Sequence, residues 1–470
     1  MTLQPVPPLL DATLIAVARR YRVPAMPAAT PTIHPAAALG IVIEEARKAV
    51  AFGTPPEAAL KHQFIDALAR MIHEAMAPDR GDPAFQAMVL RKRSAQVQEY
   101  ASLAAHADQD RRDIQASANN LAHPAKLLRM PAGPLRDALA QLQEAASSAS
   151  WPALSEIATR IRAMPDVRNT ARVQQGLTRL IQGAALARLQ RLDELSADEQ
   201  VRTYQTLWNR FSHRPGSPEA LSVGNAAQQR GAAVEALTSQ ALEALARRLD
   251  DSEHTPGRYR VVTSMRVPAS IPGSADHAKS EWDAVLLRLA QNENAEPVWD
   301  VCLLAEAKAS VDAATTDLPR LLRGLHLLAH AEENAVYSFQ SKQGLVPLRG
   351  ASLRALTTDE PALARTVLYC CNAPADAWPR LLTTSSRMQL LAAPASVEFG
   401  CAVAEQRSAD SLQLLPIWDA LLESPKWASV LNQYLMLRQV RELMVHTDDL
   451  LAAVALNPIA DMAPPKACGV

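Results

Sequence analysis

The chain has 470 residues, enough for two or three domains, and its 48 Lys+Arg nearly cancel its 49 Asp+Glu. That balance excludes binding driven by a global surplus of positive charge. A hydrophobic fraction of 48% with only 4% aromatics favours packed helices over an all-β fold. No run approaches the roughly 18 apolar residues of a membrane span, and the N-terminus has no basic region followed by an apolar one, so a cytoplasmic location is expected. Cys302, Cys370, Cys371, Cys401 and Cys468 form no CxxC pair, which argues against a zinc site or a disulfide framework.

In chain order, a short amphipathic run from Asp11 to Arg22 precedes a proline-rich stretch ending near Pro35. The next helix stops at Gly53, and Pro55 and Pro56 open another whose apolar residues recur at three and four positions. Residues 83–122 are compatible with one long helix, and helical segments follow over 134–149, 151–163 and 167–194, punctuated by prolines. The stretch 212–224 concentrates proline, glycine and serine and is the best linker. A helix over 225–249 leads into three strand-like runs, 258–269, 281–290 and 298–310, the last two joined by the polar turn QNENAEP. Helical periodicity returns over 317–336, and 365–371 is a short apolar strand. Beyond about 410 come two or three more helices and a tail read as disordered.

One pattern carries chemistry. Glu306 and Lys308 are two apart on the third strand, so they share a face, while Leu303, Ala305 and Ala307 point the other way. A hairpin across QNENAEP would bring Asp283, on the preceding strand, close to Glu306. Two carboxylates can hold Mg²⁺ or Mn²⁺, which polarises a phosphodiester and acidifies a bound water, and a lysine beside them offsets charge in the transition state. The chain has nine lysines, and Lys308 is the only one with an acid two residues before it.

These residues, on successive strands in the order αβββαβ, resemble the PD-(D/E)XK nuclease superfamily over residues of about 225–372. The resemblance implies a restriction-endonuclease-like α/β core, with Asp283 and Glu306 as metal ligands, Lys308 as a catalytic residue and Glu235 on the first helix as a further catalytic residue that orients a second metal or a ligated water. The proline usual before the family's aspartate is absent, since Trp282 stands there. The competing reading of the triad is a strand-end salt bridge without metal.

Other positions are weaker. Gln340 and Lys342, after the second core helix, could meet a phosphate or the attacking water. Arg258, Arg260 and Arg266 alternate along the first strand and offer one positive face to a backbone, or else line a solvated edge strand. Glu281 shares a face with Asp283 and is either a second metal ligand or solvent-exposed. His326 and His330 have helical metal-ligand spacing but lack the glutamate of HExxH and a third ligand.

The expectation is an all-α domain (1–211), a linker (212–224), a nuclease-like α/β domain (225–405), C-terminal helices (406–460) and a tail (461–470). The activity expected from the resemblance is Mg²⁺- or Mn²⁺-dependent hydrolysis of DNA, with RNA left open. The N-terminal helices would serve recognition, regulation or homo-oligomerisation. The alternative is a non-catalytic helical interaction protein with a nuclease-like binding platform.

Overall fold

The computed structural model describes residues 5–22, 34–168, 171–211, 218–290, 297–375 and 381–456. The chain is mostly helical, and the described strands form one small mixed sheet. It divides into two compact units that do not follow chain order. One comprises Met1–Arg70, Pro215–Leu390 and Leu414–Val470, and the other Met71–Arg214 and Leu391–Gln413. The first seventy residues therefore group with the sheet rather than with the helices that follow them, and a segment after 390 groups with the helical unit. No described helix is long and apolar enough to cross a membrane.

In the helical unit, the continuous helix expected over 83–122 is three: Pro83–Arg93, Ala95–Ala104 and Ala107–Ala122. The first break has a local cause. Ser94 takes an extended backbone conformation, and its side chain accepts the Val97 N–H at 3.4 Å, which starts a new helix. The stretch 167–194 is likewise broken, with Gly183 extended ahead of the helix Ala184–Ser196. Leu142, Leu154, Ile161, Leu177 and Leu189 are among the residues that interlock in the main core of this unit.

In the sheet unit, the helix before the strands runs Pro218–Glu253, so the described end of the expected linker is helical; residues 212–217 lie outside the described residues. Strands β1 (Tyr259–Arg266), β2 (Glu281–Leu289) and β3 (Trp299–Ala307) form an antiparallel meander. The turn between β2 and β3 lies outside the described residues except for Pro297. The helix Val311–Leu328 follows, and then a hairpin the sequence reading missed, β4 (Val336–Ser341) and β5 (Gly344–Arg349). β4 meets β1, and β5 meets β3 in parallel, so five strands close into a ring. β6 (Val367–Cys371) runs parallel to the end of β3, and the short β7 (Met444–His446) runs parallel to β6.

Both faces of this sheet are covered. Ala284, Leu286, Leu303, Ala305 and Leu368 pack with Leu242 and Leu245 of the long helix. Val285, Leu287, Leu304 and Tyr369 pack with Leu318, Leu321 and Leu325 of the helix Val311–Leu328. Double coverage explains why β2 and β3 read as near-continuous apolar runs rather than alternating ones. It also means that Glu306, which shares its face with Leu304, points beneath a helix and not into solvent.

Candidate active site

Asp283, Glu306 and Lys308 come together where the pairing of β2 and β3 ends. The ladder's last pair there is Ala284 with Ala305. One residue further on, the Ala307 N–H donates to the Asp283 carboxylate, Oδ2, at 2.8 Å. The Lys308 N–H instead donates to the Cys370 carbonyl on β6 at 2.9 Å, so main-chain bonds on both edges fix the end of β3. The Lys308 ammonium, Nζ, lies 3.0 Å from Glu306 Oε2 and 3.8 Å from Asp283 Oδ2.

Three residues that no local pattern marked complete the cluster. Lys279, in the segment before β2, donates from its ammonium to the same Glu306 oxygen and approaches Asp317 Oδ2 at 3.4 Å. Asp317, on the helix Val311–Leu328, lies 3.5 Å from Lys308 Nζ. The Tyr369 hydroxyl on β6 donates to Asp317 at 3.2 Å, and Tyr369 is the register partner of Glu306. The Lys279 segment lies against the helix: its N–H donates to the Arg320 carbonyl at 3.1 Å, and a Cβ at Gly324 would sit 2.7 Å from the Lys279 Cβ. Glycine at 324 is what permits that approach.

The electrostatics follow from burial. The Glu306 side chain is 0% exposed, whereas Asp283 and Lys308 keep 23% and 17%. Burial pushes the Glu306 carboxyl up to about 8; the charge on Asp283 adds to the rise, and Lys279 and Lys308 oppose it. For Lys308, burial acts to lower the value, but Glu306, Asp283 and Asp317 together outweigh it and raise it. The Tyr369 phenol is also raised, by burial first and then by the Asp317 and Glu306 charges. Three carboxyl groups thus face two ammonium groups in a small, largely dry space.

Glu306 Oε1 is buried with no hydrogen-bond partner among the described residues, an arrangement that costs free energy unless something donates to it or coordinates it. That oxygen and the partly exposed Asp283 are hard donors of the kind that suits Mg²⁺ or Mn²⁺, which often binds through one or two carboxylates and keeps several waters. No group of three or more His, Cys, Asp or Glu side chains placed to hold a metal occurs among the described residues. Asp283 and Glu306 are the carboxylates of the cluster that could hold such an ion.

The other candidates fall outside this cluster. Glu235 is exposed on the long helix, three residues from the buried Thr238, and makes no ion pair or hydrogen bond to the cluster among the described residues. Gln340 is on β4 and Lys342 at the turn after it; both are exposed, and the Lys342 N–H bonds the Thr263 carbonyl at 3.0 Å. Arg258 pairs with Glu253 at 3.3 Å, and Arg266 pairs with Glu281 at 3.0 Å. Arg260 lies 5.8 Å over the Trp299 ring. β1 has β2 on one side and meets β4 on the other, so it is not a free edge strand. His326 and His330 meet edge-on at 4.8 Å, with His330 Nδ1 2.8 Å from the His326 carbonyl oxygen. The four described cysteines are free and buried.

Searches against protein-family models, curated proteins and solved structures returned no match.

Proposed function

We propose that this protein is a metal-dependent nuclease whose preferred substrate is DNA, and that the end of β3 is its active site. The observation that carries the proposal is the convergence of the Asp283 and Glu306 carboxylates on one lysine ammonium, with a buried Glu306 oxygen left for a further partner. The order helix, three antiparallel strands and helix, followed by the hairpin β4–β5 and then by β6 parallel to β3, supports the same reading in part.

In this reading Asp283 and Glu306 hold the ion. A bound Mg²⁺ supplies Lewis-acid polarisation of the phosphate and a more acidic water. The upward shift of Lys308 keeps it protonated near neutral pH, so it serves as a hydrogen-bond donor and counter-charge rather than as a base. Asp317 and Lys279 are positioning residues, because they reach the chemistry only through Lys308 and Glu306. Glu235, Gln340, Lys342, Arg258 and Arg260 have no required part in it. The test is cleavage of single- and double-stranded DNA and of RNA by purified protein with Mg²⁺ or Mn²⁺. Activity abolished by chelation and by Lys308→Ala supports the proposal; no cleavage of any substrate, or full activity in Lys308→Ala, sinks it.

A second reading is favoured by the Lys279–Glu306 pair, which partly neutralises the cluster without any metal. In it, the sheet unit is a binding platform and the helices carry the interaction. Calorimetric titration with Mn²⁺ separates the two: the platform binds no ion that Asp283→Asn removes.

A further inference from the structure

Aromatic residues are only 4% of this chain, yet three of them meet at one pocket inside the helical unit. The pocket has a volume of about 590 Å³, within the range of sites for small organic ligands. Along the helix Glu199–Phe211, Tyr204 and Trp208 are one turn apart and stack at 5.9 Å with an interplanar angle of 24°. Tyr100, from the helix Ala95–Ala104, meets Tyr204 edge-on at 6.4 Å, and its hydroxyl accepts from Gln205 Nε2 at 2.8 Å.

Core packing accounts for only part of this arrangement. Tyr204 is 7% exposed and belongs to a small apolar cluster with Val97 and Val201. Trp208 does not; it is 44% exposed, at the pocket wall. Ala101, Ala104 and Ala105 are also in the lining, so part of the pocket wall is small and apolar. The wall also carries the amides of Gln205 and Asn209 and the guanidinium of Arg91.

Arg91 ends the helix Pro83–Arg93, whose last turn is Arg91-Lys92-Arg93. Lys92 pairs with Glu398 at 2.8 Å and Arg93 with Glu405 at 3.1 Å. Arg91 is exposed and has no ion pair or hydrogen bond among the described residues. Its charge reaches the Tyr204 phenol, which burial pushes up and Arg91 draws back. A second guanidinium in the lining, Arg111, is taken by Asp108 at 2.7 Å, which leaves Arg91 as the cation open to a ligand anion.

An exposed tryptophan backed by a tyrosine, beside small apolar residues, amides and a guanidinium, is the chemistry that receives a nucleobase and its phosphate. We infer that this pocket binds one nucleotide unit, with the base stacked on Trp208 and the phosphate held by Arg91, presented by a single strand or by a free nucleotide. The inference does not depend on the reading of the sheet unit, and it is tested by binding with chelator present, where metal-dependent cleavage is silent.

The probes are a fluorescein-labelled single-stranded oligonucleotide of roughly ten nucleotides, followed by anisotropy, and unlabelled AMP as competitor. Wild type binds the oligonucleotide. Trp208→Ala weakens binding about tenfold, Trp208→Phe retains most of it, and Arg91→Glu weakens it and lowers the salt slope by about one. Rescue by phenylalanine separates stacking from a loss of fold, and Arg91 is exposed, so its substitution leaves the helix intact. Displacement by AMP near the strand's own concentration range assigns the pocket to free nucleotides; resistance to AMP assigns it to a strand. The inference is overturned if neither probe binds at low salt, or if Trp208→Ala and Arg91→Glu bind as wild type does.

Discussion

Lys279 and Glu306 are separated by 27 positions in sequence, yet they form an ion pair that is almost completely withdrawn from water. Glu306 shares this oxygen between Lys279 and Lys308, so the carboxyl that would hold a metal already lies between two ammonium groups.

Removing Lys279 alone leaves a fully buried carboxyl group with one cation fewer. Above pH ~8, where the Glu306 carboxyl is ionised in the fold, Lys279→Met should destabilise the protein by ~3–5 kcal/mol, the usual cost of breaking a buried pair from one side. Combining it with Glu306→Gln should recover most of that loss, because the uncompensated charge is then absent. Urea unfolding of the two single variants and the double variant measures this coupling; simple additivity would contradict the buried pair.

The Glu306 shift sets a sign for the pH dependence of stability. Its value in the fold, about 8, lies above that of a glutamate in an unfolded chain, ~4.3. Between those values the folded state keeps a proton that the unfolded state has released. Stability from this group therefore falls as pH rises through that window, by up to ~1.4 kcal/mol per pH unit. Lys308, raised from its usual value, contributes stability that is lost only in strongly alkaline solution, so it adds no slope here. Urea midpoints of metal-free protein between pH 5 and 8 should show a steeper decline in wild type than in Glu306→Gln.

Gly324 tests the route by which Lys279 reaches the site. A methyl group at 324 meets the Lys279 Cβ at 2.7 Å and its main-chain nitrogen at 3.2 Å. Gly324→Ala should cost ~1–3 kcal/mol from overpacking, although alanine is otherwise the better helix former. A thermal melt at or above wild type would show that the segment moves away freely.

Asp283→Asn and Lys308→Ala separate binding from chemistry. An asparagine at 283 can still accept the Ala307 N–H, so the end of β3 stays in place while one ligand charge is lost. This variant should fold as wild type does and lose the calorimetric Mn²⁺ signal. Lys308→Ala should retain ion binding and lose cleavage by about 10²–10³-fold, the scale for removing one group that stabilises transition-state charge. Equal Mn²⁺ binding by Asp283→Asn and wild type would contradict the assignment of Asp283 as a ligand.

The sequence by itself determined the strand pair and the side-chain direction of Glu306 and Lys308, because alternation along a strand is a local property with a period of two. It also marked Asp283, since only the antiparallel return of β2 and β3 was needed to bring it close. It suggested one helix over 83–122 where Ser94 starts a new one, because a capping side chain competes with the helix only when its geometry allows. The hairpin β4–β5, which closes the ring of strands, broke the simple strand count. Only the tertiary structure decided that Lys279, Asp317 and Tyr369 complete the cluster. They come from a connecting segment, a helix and a distant strand, and nothing local distinguishes such residues from solvated ones. The packing of the helix Val311–Leu328 across the sheet made the difference: it buried Glu306, and a carboxyl group excluded from water takes its partners from whatever the fold brings within reach.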